Sequence, residues 1–264
     1  MKKKLTVKDL YACKGQRKLT EVFVENEDQA SAAEKAGIDM LCTPARMIAA
    51  IRAAAPNSFL IGAMSNEAAQ SESTAIRLGQ DILKQGADAV YTGISTQKVK
   101  AMTQEFIPVI GHVGMVPYRN TWYGGYKAVG KTASEANELY NLCLQYDEAG
   151  AIAVEMELVP HKVAAQITRD VKMLTMSMGS GVECDVQYLF SCDILGTNQG
   201  HIPRHAKVYA DLHTEYERIK ALMAEAYQQF QQEVEQGAFP QDRHSLPVDE
   251  KQFADFLHSI AKSK

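Results

Sequence analysis

The chain has 264 residues, of which 46% are hydrophobic and 23% charged, and its formal net charge at pH 7 is −4. This composition is typical of a globular protein with one large α/β domain, and it argues against a nucleic-acid-binding surface. The N-terminal lysines precede no apolar segment and no apolar run approaches the ~18 residues of a membrane span, so we expect a cytoplasmic protein without membrane partners.

Short apolar runs alternate with helical patterns through the first 200 residues. Between the apolar runs lie helical segments that include Gln29–Ala36, Ala45–Ala55, Thr74–Gln85, Ser134–Glu148 and His161–Asp170. This strict alternation predicts an α/β fold of the (β/α)8 TIM barrel type, with a doubly wound open sheet as the structural alternative. The eight predicted strands are Thr20–Val24, Met40–Thr43, Phe59–Met64, Ala89–Ile94, Pro108–Val113, Ala151–Leu158, Leu174–Met178 and Asp193–Leu195.

The pattern changes after residue 200. A long helical segment, Ala206–Gln236, is followed by a turn and by an amphipathic helix near Glu250–Ala261. The apolar positions of the last helix are spaced like one buried stripe: Phe253, Phe256, Leu257 and Ile260. We predict a single barrel domain over residues 1–264, with 206–264 as additional C-terminal helices that pack on the barrel or on another subunit.

The carboxyl ends of the predicted strands carry the candidate site, because active groups of TIM barrels lie at that face. Glu157 closes the buried run AIAVEME, and burial raises the pKa of a carboxylate into the range suited to proton transfer. Glu155 shares its face of the strand, and one of the two carboxylates is open to a structural ion-pair role. His112 lies between glycines, with room for a ligand, but a hydrogen-bonded core histidine fits the same pattern.

Neutral polar groups at the other strand ends are predicted to bind substrate. Their hydroxyl and amide groups are suited to hydrogen-bond a developing oxyanion or a carboxylate. Ser180 belongs to the turn GSGV, whose backbone N–H groups offer a cradle for an anion. These predicted substrate-binding residues are Thr43, Ser65, Asn66, Tyr91, Thr92 and Ser180.

The densest motifs resemble those of the ketopantoate hydroxymethyltransferase family. They read IPVIGHVGMVP (107–117), GGYKAVGKT (124–132), ELVP (157–160) and ECDVQYLFSCDILG (183–196), and weaker matches extend over nearly the whole chain. The resemblance implies a TIM barrel of the phosphoenolpyruvate/pyruvate superfamily. It also implies a homo-oligomeric enzyme of pantothenate biosynthesis that transfers a hydroxymethyl group from methylenetetrahydrofolate to a 2-oxo acid such as 3-methyl-2-oxobutanoate.

The resemblance assigns catalytic roles to two residues and leaves its metal site unmatched. His112 and Glu157 match the family's catalytic histidine and glutamate. The family's Mg²⁺ is held or supported by carboxylates that are missing here. CTPARMI (42–48) replaces the motif GDS, Ala63 replaces an aspartate, and Tyr91-Thr92-Gly93 replaces a segment with a lysine and a glutamate. Glu25 and Glu67 are the candidates for a relocated metal site, since a hard cation needs oxygen ligands.

Three functional hypotheses follow. The first is the family's hydroxymethyl transfer, performed by an altered site. The second is a metal-independent paralogue that acts on a different oxo acid or acyl substrate, by C–C bond chemistry or hydrolysis. The third is a non-catalytic barrel protein that keeps His112 and Glu157 for packing.

Overall fold

Eight parallel strands close into a barrel in the computed structural model, which describes residues 3–262. Each strand pairs with its neighbours in chain order, and β8 returns to pair with β1 from Leu19↔Val186 to Phe23↔Phe190. The closed ring confirms the TIM barrel and excludes the open sheet. The strands are β1 Leu19–Phe23, β2 Met40–Pro44, β3 Phe59–Ala63, β4 Ala89–Tyr91, β5 Val109–Gly114, β6 Ala153–Glu157, β7 Leu174–Met178 and β8 Val186–Phe190.

Helices connect the strands, and several of them begin at a polar cap residue. The Asn26, Ser71 and Ser95 side chains each accept a hydrogen bond from a backbone N–H of the first turn, which satisfies a donor that the helix leaves unpaired. The helices are α1 Val7–Cys13, α2 Glu27–Ala36, α3 Ile48–Ala54, α4 Glu72–Lys84, α5 Thr96–Gln104, α6 Asn120–Tyr123, α7 Ala133–Glu148, α8 His161–Asp170, α9 Ser191–Ile194, α10 Leu212–Glu235 and α11 Glu250–Ala261.

The predicted eighth strand at Asp193–Leu195 is wrong. Strand β8 is Val186–Phe190, and Asp193 lies in the short helix α9. The segment alternates as a barrel strand must, because Val186 and Tyr188 are buried in the interior while Gln187 and Leu189 are only partly covered. The run DILG (193–196) is too short to form a barrel strand, and it lacks this alternation.

Apolar side chains fill most of the barrel interior, and two glutamates and a histidine are buried there with them. Leu19, Met40, Phe59 and Met176 are among the interior side chains that exclude water. Glu21 and Glu155 are each 3% exposed and His112 is 5% exposed. A buried ionisable group is expensive unless it is paired or neutral, so these three are the positions that require an explanation.

The chain divides into two compact units, 1–210 and 211–264. The second holds α10 and α11, and the stripe predicted on α11 is 43–54% exposed. Our single-domain assignment over 1–264, with 206–264 as an extension, stays a prediction. None of the helices within residues 3–262 combines the length and apolar character needed to cross a bilayer.

We expect Gly111→Ala to destabilise the barrel. A Cβ on Gly111 would lie 2.7 Å from ring atoms of Tyr146, which is buried and donates its hydroxyl hydrogen bond to Ile94 O at 2.8 Å. Overpacking of this kind costs about 1–3 kcal/mol in the free energy of unfolding, measurable by urea denaturation. Gly200→Ala is the control, since its Cβ would meet only Asn198 Oδ1 at 3.4 Å. Equal midpoints for the two variants would contradict this packing.

Candidate active site

His112 is the centre of a hydrogen-bonded chain at the carboxyl ends of β4, β5 and β6. Its Nδ1 lies 2.7 Å from the Tyr91 hydroxyl, and its Nε2 lies 3.0 Å from Oε2 of Glu157. The structure therefore brings together the two residues with predicted catalytic roles and one predicted to bind substrate. Parallel pairing of β5 with β6 places Gly114 beside Glu157 and His112 beside Glu155.

The imidazole of His112 is held neutral. Burial lowers its pKa, the Glu155 carboxylate opposes that shift, and the Arg119 guanidinium adds to it. A neutral imidazole has one N–H donor and one acceptor nitrogen, so His112 donates one of its two hydrogen bonds and accepts the other. With Glu157 ionised, Nε2–H donates to the carboxylate and Nδ1 accepts from Tyr91.

The backbone around Glu157 is tightly constrained. Its carbonyl accepts from the Met115 N–H at 2.8 Å, and a Cβ on Gly114, which has φ +86°, would collide with that carbonyl oxygen. Leu158 follows at φ 52°, a left-handed conformation that is uncommon for a non-glycine residue. Burial raises the pKa of Glu157 to about 7. A carboxylate with this pKa can accept and return a proton near neutral pH.

Two further carboxyl groups lie deeper in the barrel. Glu155 and Glu21 each have one oxygen, Oε2, without a hydrogen-bond partner. Burial raises the pKa of both, and the charge of Glu155 raises that of Glu21 further, well above its ordinary range. The sequence analysis identifies Glu155 only as the strand-face partner of Glu157, and it misses Glu21. The signal for Glu21 was a carboxylate within the strand segment LTEVF.

The residues at the positions that correspond to the family's metal site cannot bind Mg²⁺ as carboxylates would. At the end of β2 the Thr43 hydroxyl donates to Val24 O at 2.9 Å, and β3 ends at Ala63, whose methyl group offers no ligand. Mg²⁺ requires several oxygen ligands in near-octahedral geometry. Within residues 3–262, neither Glu25 nor Glu67 belongs to a cluster of three or more His, Cys, Asp or Glu side chains.

One such cluster does occur in the described chain, at His112, Glu155 and Glu157. Their ligand atoms lie within 4.8 Å of one another, a spacing small enough for a metal ion. Both ring nitrogens of His112 are already engaged, with Tyr91 and Glu157. A mixed nitrogen and oxygen donor set also suits transition metals better than Mg²⁺. The donor set of this cluster therefore does not match the requirements of Mg²⁺.

The polar groups of the remaining predicted substrate-binding residues are already engaged in hydrogen bonds. The Ser180 hydroxyl donates to Met156 O at 2.6 Å and accepts from Val159 N–H at 2.9 Å. The Thr92 hydroxyl and the Gly93 N–H both donate to Asn66 Oδ1 at 2.9 Å. Ser65 is exposed and donates to Glu67 at 2.9 Å. Their role in substrate binding stays a prediction.

Arg119 is a cation at the site that our sequence analysis missed. It follows β5 in a short 3₁₀ segment, its Nη2 donates to Gly93 O at 3.1 Å, and its Nε donates to the Tyr118 hydroxyl at 3.2 Å. The Tyr118 hydroxyl donates to the same Gly93 carbonyl. A basic residue shortly after a strand end, as in GMVPYR, was the available signal. A half-buried guanidinium here is suited to pair with a substrate carboxylate.

Comparisons with known proteins agree on one family. The family model described as ketopantoate hydroxymethyltransferase matches residues 43–242. The 3-methyl-2-oxobutanoate hydroxymethyltransferase of Thermotoga sp. (strain RQ2) is 32% identical over 267 residues, covering 92% of this chain and 96% of that protein. The protein of the same name from Clostridium botulinum (strain Alaska E43 / Type E3) is 40% identical over 177 residues, covering 66% of this chain and 62% of its own length.

Solved structures support the fold. Phosphoenolpyruvate phosphomutase from Streptomyces platensis subsp. rosaceus aligns with a TM-score of 0.51 and 13% identity, over 98% of this chain and 99% of that one. A 2,3-dimethylmalate lyase of the PEP mutase/isocitrate lyase superfamily aligns with a TM-score of 0.50 and 14% identity, over 96% and 99%. At these identities the likeness shows the barrel fold alone.

The raised pKa of Glu157 predicts a pH-dependent stability. Between its ordinary value of 4.5 and its folded value of about 7, the native carboxyl holds a proton that the unfolded chain lacks. Stability therefore falls as pH rises through this window, by up to about 3 kcal/mol. Urea denaturation of the wild type and of Glu157→Gln should show their difference changing between pH 4.5 and 7. A difference that is constant with pH would show that Glu157 titrates normally.

Proposed function

Because the chain belongs to the ketopantoate hydroxymethyltransferase family, we propose that it transfers a hydroxymethyl group to a 2-oxo acid such as 3-methyl-2-oxobutanoate. The observation that carries this proposal is the Glu157 carboxylate, which has a pKa of about 7 and a hydrogen bond to neutral His112. Removal of a proton from the carbon beside a carbonyl requires a base of this kind at the substrate.

The proposed reaction begins with proton removal. Glu157 takes the proton from C3 of the oxo acid, and the resulting enolate carbon forms a bond to the one-carbon unit. We propose methylenetetrahydrofolate as the donor: its methylene carbon is transferred as both of its C–N bonds break, and water supplies the hydroxyl group. Tetrahydrofolate leaves with the proton from Glu157 and the second proton of that water. The folate assignment is supported by family membership and by the motifs that this chain shares with the family.

The chain's own residues supply the electrostatic support. Arg119 lies close enough to His112 to lower its pKa, and we propose that its guanidinium pairs with the substrate carboxylate. Such a pair holds the oxo acid with its C3 toward Glu157, and positioning of this kind can lower a barrier substantially. No step is assigned to a metal, because Thr43 and Ala63 do not offer the ligands that Mg²⁺ requires.

A second candidate function uses the same proton abstraction on a different oxo acid or acyl compound. The observation that favours it is Tyr91, which stands where the family resemblance expects a lysine and is hydrogen-bonded to His112. Family membership favours the first function. We further propose that the protein works in the cytoplasm, as a homo-oligomer, in pantothenate biosynthesis.

Glu157→Gln should abolish proton abstraction while leaving the fold intact. The amide is nearly isosteric but has no basic oxygen of comparable pKa, so we expect a loss of about 10²–10⁴-fold. The measurement is exchange of the C3 hydrogen of 3-methyl-2-oxobutanoate with D₂O by proton NMR, followed by product formation with methylenetetrahydrofolate.

Glu183→Gln is the control for that experiment, since Glu183 is exposed and outside the proposed site. Exchange that continues unchanged in Glu157→Gln would refute the role of Glu157. Exchange without product formation in the wild type would favour the second function.

Chelation of divalent cations should leave turnover unchanged. Ala63 offers only a methyl group and Thr43 a hydroxyl that already donates a hydrogen bond, in place of the family's carboxylates. Binding of the oxo acid should therefore not need Mg²⁺. Calorimetric titration of 3-methyl-2-oxobutanoate with and without Mg²⁺ measures this directly. Tighter binding with Mg²⁺, or turnover lost on chelation and restored by Mg²⁺, would show that a metal site exists elsewhere.

A further inference from the structure

Glu155 has no role in the mechanism above, yet it belongs to a compact set of side chains that commonly bind metal ions. It lies on β6 two residues before Glu157, is 3% exposed, and has one oxygen, Oε2, without a hydrogen-bond partner. One carboxylate oxygen from each glutamate and one ring nitrogen of His112 all lie within 4.8 Å of one another. A buried carboxylate oxygen without a partner is costly, so its presence here requires an explanation.

The spacing of these atoms is close to that of ligands around one ion. Nε2 of His112 and Oε2 of Glu157 are 3.0 Å apart. Two ligands at about 2.0–2.1 Å from a tetrahedral Zn²⁺ are separated by about 3.3 Å, so a small shift of either side chain makes room for the ion. Glu155 has several rotatable side-chain bonds, and their rotation can bring its oxygen to the same ion.

The charges of the set match a divalent cation. Two ionised glutamates and a neutral imidazole balance the two positive charges of the ion, so the occupied site adds no net charge to a dry barrel interior. Coordination also satisfies the Glu155 carboxylate. Glu157 provides the access, because its side chain is 16% exposed whereas that of His112 is 6% exposed.

Tyr91 is placed to orient the histidine ligand. Its hydroxyl lies 2.7 Å from Nδ1 of His112. When Nε2 binds an ion, a neutral imidazole carries its hydrogen on Nδ1 and donates it to an acceptor that fixes the ring. The Tyr91 oxygen is in position to be that acceptor. The hydrogen bond between Nε2 and Glu157 is lost on binding, and the protons exchange with water at the exposed side of Glu157.

The donor set selects the kind of ion. One imidazole nitrogen with two carboxylate oxygens suits Zn²⁺ and Co²⁺, which accept three protein ligands and complete their coordination with water. Mg²⁺ is bound by oxygen ligands in near-octahedral geometry and keeps several of its waters. Three buried or partly buried side chains of this kind therefore favour the transition metals.

We propose that His112, Glu155 and Glu157 form a binding site for one Zn²⁺ or Co²⁺ ion, and that the bound ion inhibits the enzyme by occupying the carboxylate that acts as its base. Binding does not depend on the proposed function, and only the inhibition rests on it. The ion adds no step to the reaction. Chelation leaves metal-free enzyme unchanged, in agreement with the chelation prediction above.

Titration of the metal-free protein with Co²⁺ tests the site. The visible absorption of Co²⁺ becomes stronger when the ion leaves six-coordinate water for a four- or five-coordinate site. We expect a strong band that saturates at one ion per chain, that Zn²⁺ removes and that excess Mg²⁺ does not. The cluster contains no cysteine, so the near-ultraviolet absorption of a cobalt–thiolate bond should be absent.

Variants identify the ligands. Glu155→Gln and Glu157→Gln should each weaken Co²⁺ binding by more than about 100-fold, because loss of an outer partner alone costs about 10–100-fold. Tyr91→Phe removes such an outer partner and should fall within that smaller range. Glu21→Gln is the matched control, since Glu21 is also 3% exposed but is not in the cluster, and it should bind as the wild type does. Circular dichroism checks that each variant is folded.

The outcomes separate this inference from the proposed function. A Co²⁺ band that survives in both Glu155→Gln and Glu157→Gln, or that shows thiolate absorption, overturns the site whatever the activity. A band that is lost in both, together with a wild type that shows no C3–H exchange, supports the site and refutes the reaction.

Inhibition is measured on the same C3–H exchange. One equivalent of Zn²⁺ should stop exchange in the wild type, and a chelator should restore it. In Glu155→Gln, whatever its own rate, the same amount of Zn²⁺ should have no effect. Exchange that continues in wild-type protein whose site is filled with Zn²⁺ would overturn the inhibitory role.

Discussion

The pairing of β8 with β1 is the constraint on which the site depends. It closes the sheet, so the inward side chains of eight strands share one interior from which apolar neighbours exclude water. In such a medium an ionisable group must be neutral or hydrogen-bonded. The raised pKa of Glu157 and the neutral imidazole of His112 are both consequences of this burial. The chemistry proposed for the protein therefore begins with the ring closure.

A neutral hydrogen bond occupies part of the barrel mouth where the family resemblance implies cationic and metal support. The resemblance expects a lysine where Tyr91 stands and carboxylates where Ala63 and its neighbours stand. The structure connects Tyr91 to His112, and it adds Glu155 and Glu21 to the interior. The family scaffold is retained, while Tyr91, His112 and Glu157 form a hydrogen-bonded network inside its barrel, for which we propose proton transfer. Arg119, beside His112, is the cation available at this network.

Parts of this site were predictable from sequence and parts were not. Glu157 and His112 were identifiable because each ends or interrupts an apolar strand, and burial then dictates their chemistry. Glu21 and Arg119 were missed: the first looks like an exposed strand residue, and the second lies beyond the strand end. The eighth strand was misplaced because the short apolar run after Phe190 outweighed the alternation within DVQYLF. The strand that pairs with β1 and closes the barrel is Val186–Phe190.

The sequence by itself determined the barrel and the strands on which His112 and Glu157 lie, because hydrophobic periodicity is a local property of the chain. Only the tertiary structure decided which polar groups meet. Tyr91 and His112 are 21 residues apart, and His112 and Glu157 are 45 apart, yet both pairs are within hydrogen-bonding distance. Spacing along a chain carries no information about distance across a barrel, which is set by strand register and by closure of the ring.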